Sequence, residues 1–208
     1  WRKSVRNAIS HRPDAWSSIT GEEGALHALD FCRGIKGFLD AHPQHVLVID
    51  GGEIGQWSQA NLDNDRRIIN GVAGSIGAAT PFALAARVAE NKDPVLTIMG
   101  DGTFGFHMAE FDTAVRNNLP FVALVGNDAC WNAEHQIQLR EYGENRAHSC
   151  ELLHTRYDQV VEAMGGHGEL VTQAKDLAAA IERAYASGKP ACINVMIKSV
   201  GAPIVRRG

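Results

Sequence analysis

Two short strings in this 208-residue sequence place oxygen ligands where an apolar run gives way to a turn: Ile98-Met99-Gly100-Asp101-Gly102-Thr103 and Leu124-Val125-Gly126-Asn127-Asp128-Ala129-Cys130. In the first, Asp101 stands between two glycines where a strand is expected to become a helix. The N–H groups of Gly102, Thr103 and Phe104 then lack intrahelical partners and can face an anion. That suits a phosphate. The Asp101 carboxylate would repel one, and the conflict disappears if a hard cation bridges the two, as oxygen-ligated Mg²⁺ commonly does. The second string would supply further oxygen ligands from a neighbouring strand.

A rival reading uses the same residues. Gly100-Asp-Gly102-Thr-Phe-Gly105 also satisfies GxGxxG, with Asp128 near where a ribose-binding acid would be sought, so a nicotinamide-dependent oxidoreductase stays open here. Against it, the signature sits mid-chain, an acid lies inside the glycine turn, and Asn127 to Trp131 have no obvious task.

The composition bounds what can carry such a site. With 45% hydrophobic and 21% charged residues, the chain reads as one ordinary globular domain. A formal charge of -4 gives no general attraction for nucleic acid or anionic lipid, so any phosphate must be bound locally. Cys32, Cys130, Cys150 and Cys192 form no CxxC pair, which argues against zinc and for reduced thiols in a cytoplasm-like compartment. The apolar runs are strand-sized, too short for a membrane span. The chain opens on Trp1, and a fragment of a longer polypeptide is the simpler reading.

The elements that must position the two strings alternate. Residues 1–21 read as an irregular linker remnant or arm. A helix is expected over Glu22 to Ala41, ended by Pro43, then a buried strand over Val46 to Ile49. Further helices are expected at Ser75 to Glu90, Gly105 to Asn117, Tyr157 to Met164 and Lys175 to Ser187. The remaining strands are expected at Val95 to Met99, Phe121 to Val125, Glu169 to Thr172 and Ala191 to Ile197. Alternation without hairpin signals predicts a doubly wound parallel α/β sheet with helices on both faces, a single domain over 22–198 with a tail over 199–208. Ligands of such sheets bind beyond the strands' carboxyl ends.

Gly100-Asp101-Gly102, followed after a helix and a strand by Asn127-Asp128, resembles the GDG…NN signature of thiamine diphosphate enzymes. The resemblance implies that Asp101, Asp128 and the main-chain carbonyl of Cys130 ligate the Mg²⁺ that holds the cofactor's diphosphate, with Gly100, Gly102 and Thr103 lining it. One departure is that Asp128 stands where the family's second asparagine is usual, which adds negative charge beside the diphosphate. Gly126-Asn-Asp-Ala-Cys-Trp131, together with Glu110-Phe-Asp-Thr-Ala-Val-Arg116, looks like the acetolactate-synthase-like and 2-hydroxyacyl-CoA lyase branch. Gly74-Ser75-Ile76-Gly77 resembles the turn whose apolar side chain, here Ile76, wedges beneath the bent cofactor, while the Gly74 carbonyl accepts from its aminopyrimidine. An ordinary core role for Ile76 is the alternative.

Gly52 and Glu53 look like the segment touching the diphosphate, or are a tight turn into a helix. Trp131 flanks the diphosphate or substrate, or is a core aromatic. His107 and Glu110 read as structural or outer-shell residues. The family's activating glutamate belongs to a separate pyrimidine-binding domain that nothing here matches, so the isolated chain is expected to be inactive and to act in a homo-oligomer. The implied activity is acetolactate-synthase-like carboligation of 2-oxo acids. Lyase chemistry on acyl-CoA, of the 2-hydroxyacyl-CoA lyase or oxalyl-CoA decarboxylase kind, is the alternative, and from another class a non-catalytic interaction module.

Overall fold

Runs of β-branched and aliphatic residues, bounded by turn-forming residues, build six strands: β1 (Val46–Ile49), β2 (Arg67–Ile69), β3 (Val95–Gly100), β4 (Val122–Asn127), β5 (His167–Val171) and β6 (Ala191–Met196). In the computed structural model, which describes residues 1–70, 74–90 and 92–205, they form one sheet in the order β2-β1-β3-β4-β6-β5. Every pairing is parallel. All residues of β1 and β4 are buried, as expected of strands covered on both faces.

Strand alternation sorts the core into two layers. Leu47, Ile49, Leu96, Ile98, Leu124 and Ile193 face helices α2 (Ala28–Ala41), α3 (Gly52–Asn61) and α9 (Ala174–Ala186). Val48, Met99, Ala123, Val125 and Cys192 face the opposite layer. That layer holds α4 (Ala79–Ala89), α5 (Asp101–His107), α6 (Glu110–Arg116) and α8 (Tyr157–Ala163). α2 shows why a helix forms there. Its buried Leu29, Cys32, Ile35 and Leu39 make one stripe at helical spacing, and a reciprocal cap links His27 and Asp30, with Leu29 N–H donating to His27 Nδ1 at 3.1 Å. β1 pairs with β2 on one side and β3 on the other. The winding therefore reverses between β1 and β3, the switch point where such sheets bind ligands.

Several expectations are corrected. Residues 1–21 are not irregular: α1 (Arg2–Ser10) is helical, and a 3₁₀ turn over Asp14–Ser18 buries Trp16 against Trp57, ring centroids 5.1 Å apart. α1 buries no residue, and its Val5, Ala8 and Ile9, although at helical spacing, form too short a stripe in a polar segment to have been read as a helix. The helix expected from Glu22 begins at Ala28, because Leu26 bridges to Ile197 as an extra edge contact. The helix expected from Ser75 begins at Ala79, because Gly74 and Gly77 take φ of +68° and +95°, a conformation that helix excludes. The segment Gly105 to Asn117 is two helices, parted at Met108–Ala109, and the first starts at Asp101. β2 and α7 (Asn132–Tyr142) were not expected. β2 has three residues and α7 buries only Asn132, so neither carries a legible pattern. Among the described residues no helix is long and apolar enough to cross a membrane.

Candidate functional site

The two strand ends are neighbours. β3 and β4 pair from Leu96↔Val122 to Gly100↔Gly126, so the turns that follow open side by side on one cleft. Asp101 is the first residue of α5, preceded by Gly100 as a cap without a side-chain bond. Across from it, Ala129 takes φ +52° and Cys130 bridges to Glu151 in antiparallel fashion. That bridge uses the Trp131 N–H, donated to the Cys150 carbonyl at 2.7 Å, and the Ala129 carbonyl, which accepts from Leu152 N–H at 2.7 Å. Cys130's own main-chain groups therefore point away from the bridge.

The cleft is lined by Gly52, Glu53, Ile76, Gly100, Asp101 and Gly102, and by Thr103, Asp128, Cys130 and Trp131. Of the residues expected to touch cofactor or metal, only Gly74 and Ser75 lie off the lining and are exposed; His107, Glu110 and Asn127 also lie off it. Gly102 is required by packing. A Cβ there would sit 2.7 Å from the Trp131 ring, and Trp131 in turn meets Phe106 edge-on at 5.8 Å.

The two carboxylates are strongly perturbed. Burial pushes Asp101 up to about 6, against the pull of main-chain N–H groups at Gly102, Asp101, Cys130 and Ala129. Burial, and then the Asp101 charge, pushes Asp128 up to about 7, against the Ser199 hydroxyl and nearby N–H groups. Asp101 Oδ2 is buried without a hydrogen-bond partner. Among the described residues neither carboxylate joins an ion pair. A buried Asp101 with an orphaned oxygen beside a half-buried Asp128 forms a donor set that fits a hard divalent cation. Among the described residues no three His, Cys, Asp or Glu side chains form a metal cage. A cation here would therefore complete its shell from main-chain and ligand oxygens, which fits Mg²⁺ held with substrate phosphates.

Residues outside the two strings hold the cleft's other wall, and sequence reasoning assigned no role there to Asp50 or Lys198. Asp50, at the carboxyl end of β1 and fully buried, accepts N–H bonds from Gly51 (2.7 Å), Gly77 (3.1 Å) and Ala79 (2.8 Å). It caps α4 and fixes the Ile76 turn. An acid directly after a buried strand was the available signal. His107 Nδ1 lies 2.6 Å from the Gly77 carbonyl and ties the same turn to α5, the structural role its position suggested. Lys198 also lines the cleft, paired with Glu22 at 2.9 Å, and no sequence pattern marked it. Glu53, in the first turn of α3, is raised by burial, opposed by the Ala202 N–H and reinforced by Glu134.

Comparisons with known proteins identify the family and the fold. The family described as "Thiamine pyrophosphate enzyme, C-terminal TPP binding domain" matches residues 50–195. A probable acetolactate synthase of Mycobacterium bovis is 40% identical over 155 residues, covering 73% of this chain and 28% of that protein. The 2-hydroxyacyl-CoA lyase 2 of Caenorhabditis elegans is 31% identical over 210 residues, covering 95% of this chain and 32% of that protein. This chain thus spans about a third of these relatives' length. A thiamine diphosphate-dependent 4-hydroxybenzoylformate decarboxylase of Rhodococcus jostii RHA1 shares the fold, with a TM-score of 0.76 at 16% identity over 88% of this chain and 34% of that one. The chain belongs to the thiamine pyrophosphate enzyme family and constitutes its C-terminal cofactor-binding domain.

Proposed function

We propose that this domain grips the diphosphate of thiamine diphosphate through a Mg²⁺ ion held by Asp101, Asp128 and the Cys130 carbonyl. The observation that carries this reading is the pair of raised carboxyls at adjacent strand ends, Asp101 buried with an orphaned oxygen and Asp128 half-buried beside it. Each role follows from the residue's chemistry. The carboxylates bind the cation, and the first-turn N–H groups at Gly102 and Thr103 meet phosphate oxygens. Gly52 and Glu53 close the opposite wall. Ile76 supports the cofactor from below, with the Gly74 carbonyl accepting from its aminopyrimidine, although Gly74 itself lies off the cleft lining. The bound cofactor supplies the carbanion chemistry next to a carbonyl. Trp131, packed on Gly102, shields the site from water on one side.

The reaction that best fits is carboligation of 2-oxo acids, since the acetolactate synthase relative has the higher identity of the two curated relatives described. A second reading, lyase chemistry on a 2-hydroxyacyl-CoA, is favoured by the match that runs over 95% of the chain. In either case a pyrimidine-binding domain of the full-length enzyme, brought up in a homo-oligomer, completes the cleft. The GxGxxG string is then a diphosphate turn and not a nicotinamide site.

Calorimetry on the full-length protein tests the binding half. Thiamine diphosphate should bind only with divalent metal, EDTA should abolish binding, and NAD should not bind. Asp101→Ala should weaken metal-dependent binding at least ~100-fold, the upper range for loss of support to a metal, while Asp128→Asn should retain most of it. Cofactor binding indifferent to EDTA and to Asp101→Ala would overturn the reading. Turnover of pyruvate against a 2-hydroxyacyl-CoA then separates the two reactions.

A further inference from the structure

Asn127 and Asn194 interrupt the apolar pattern of two central strands. On β4 and β6 the side chains facing α8 include Ala123, Val125 and Cys192, all in the apolar layer. Asn127 and Asn194 continue the same alternation as amides with no exposed surface. Asp158, on α8 beside them, is also buried. Burying such groups is costly unless they are hydrogen-bonded.

Here they are bonded to one another. Asn127 Nδ2 donates to Asn194 Oδ1 and to the Thr155 carbonyl, both at 3.1 Å. Asn194 Nδ2 donates to the same Thr155 carbonyl and to Asp158 Oδ1, again at 3.1 Å. Arg156 Nε donates to Asp158 Oδ1 at 3.0 Å and anchors the far end. The near end is Asn127 Oδ1, which accepts the Ala129 N–H at 3.1 Å. Ala129 holds φ +52°, a left-handed conformation that is strained for a residue with a Cβ. It lies between Asp128 and Cys130.

A pair of aliphatic side chains at the two strand positions would seal this face without burying any polar group. It would not accept the Ala129 N–H. We infer that Asn194 and Asp158 are positioning residues: through Asn127 they hold Ala129 in its left-handed conformation, and so aim the Asp128 carboxylate and the Cys130 carbonyl together at the bound cation. None of the three side chains lines the cleft, so they act on the cation only through the turn. The inference rests on the cation reading proposed above.

The test uses the full-length enzyme and measures the Mg²⁺ concentration giving half-maximal thiamine diphosphate binding, with circular dichroism reporting the fold. Asn194→Leu keeps the branching of the side chain and removes its hydrogen bonds, and should raise the Mg²⁺ requirement roughly 10- to 100-fold, as loss of support to a metal ligand does. Excess Mg²⁺ should restore binding. Asp158→Asn keeps an acceptor for Asn194 but loses the charge that Arg156 grips, and should shift the requirement in the same direction by a smaller factor. If Asn194→Leu does not fold, Asp158→Asn decides by the same criterion. A merely structural role would lower thermal stability and leave the Mg²⁺ requirement unmoved in the folded variants, and that result overturns the inference. Metal-independent binding in the unaltered enzyme would instead sink the cation reading, and the inference with it.

Discussion

The two ends of the sheet treat carboxylates in opposite ways. At the amino end Arg66 reaches Glu90 at 2.9 Å and Asp93 at 2.8 Å, and the Lys92 N–H together with Arg66 holds Glu90 down at about 2. At the carboxyl end, burial pushes Asp101 and Asp128 up to about 6 and about 7. Identical chemistry is satisfied by the chain at one end and left wanting a cation at the other. Burial alone does not make the difference: Asp50 at the same carboxyl end is fully buried yet accepts several N–H bonds from the chain. An incompletely satisfied acid, more than a buried one, marks the site.

Removing Asp50 sharpens that distinction and should have the largest effect. Asp50→Ala leaves the Gly77 and Ala79 N–H groups without their acceptor inside the fold, at about 1–3 kcal/mol each. Local opening of the Ile76 turn and the start of α4 should become easier by about 3 kcal/mol. Amide exchange at Gly77 and Ala79 should then accelerate about 100-fold. Unchanged exchange would mean that Asp50 is not what holds the cleft's second wall.

Next in size is the pH response of the carboxyl end. Folding raises the pKa of both Asp101 and Asp128 above the ordinary value of about 4. The metal-free folded chain therefore holds protons that the unfolded chain has released. Stability from this source is full below about pH 4 and is lost as pH rises through about 6 to 7. A cation competes for the same oxygens, so Mg²⁺-dependent cofactor binding should tighten over that window, by up to about tenfold per pH unit for each proton displaced. A flat profile from pH 5 to 7 would remove the contrast between the two ends.

The fold was legible because β1 is a continuous apolar run, β3, β4 and β6 are largely apolar and broken only at Thr97, Asn127 and Asn194, and α2 and α9 carry apolar stripes, both consequences of burial that a sequence records directly. Asp101 stood out because it lies between two glycines at a strand end, and Asp128 through the resemblance of the two strings to a known signature; the structure brings both to one cleft. α1 and α7 bury almost nothing; α7 carries no apolar stripe, and that of α1 is only Val5, Ala8 and Ile9 in a polar segment. Asp50 and Lys198 were missed for another reason. Their tasks depend on residues far away in sequence, Gly77 and Ala79 for one and Glu22 for the other, and one chain read alone contains no sign of such partners. The Asn127–Asn194–Asp158 network is of the same kind, joining residues from three elements.

The smallest expected effect belongs to the amino end. Arg66 and Glu90 are about one-third and one-quarter exposed at their side chains, and exposed ion pairs contribute little because water and salt screen them and two long side chains must be held still. Arg66→Ala removes the charge and also the bond to the Gln44 carbonyl. The thermal midpoint of the full-length protein should fall slightly at low salt, and the difference should shrink as salt is added. Glu90 should lose much of what holds it down, so its carboxyl should titrate at higher pH, measurable by NMR. The Mg²⁺ requirement for cofactor binding should stay where it was, because nothing in this pair touches β3 or β4 at their carboxyl ends. A shifted Mg²⁺ requirement in Arg66→Ala would show that the two ends are coupled, and the contrast between them would have to be rebuilt on that coupling.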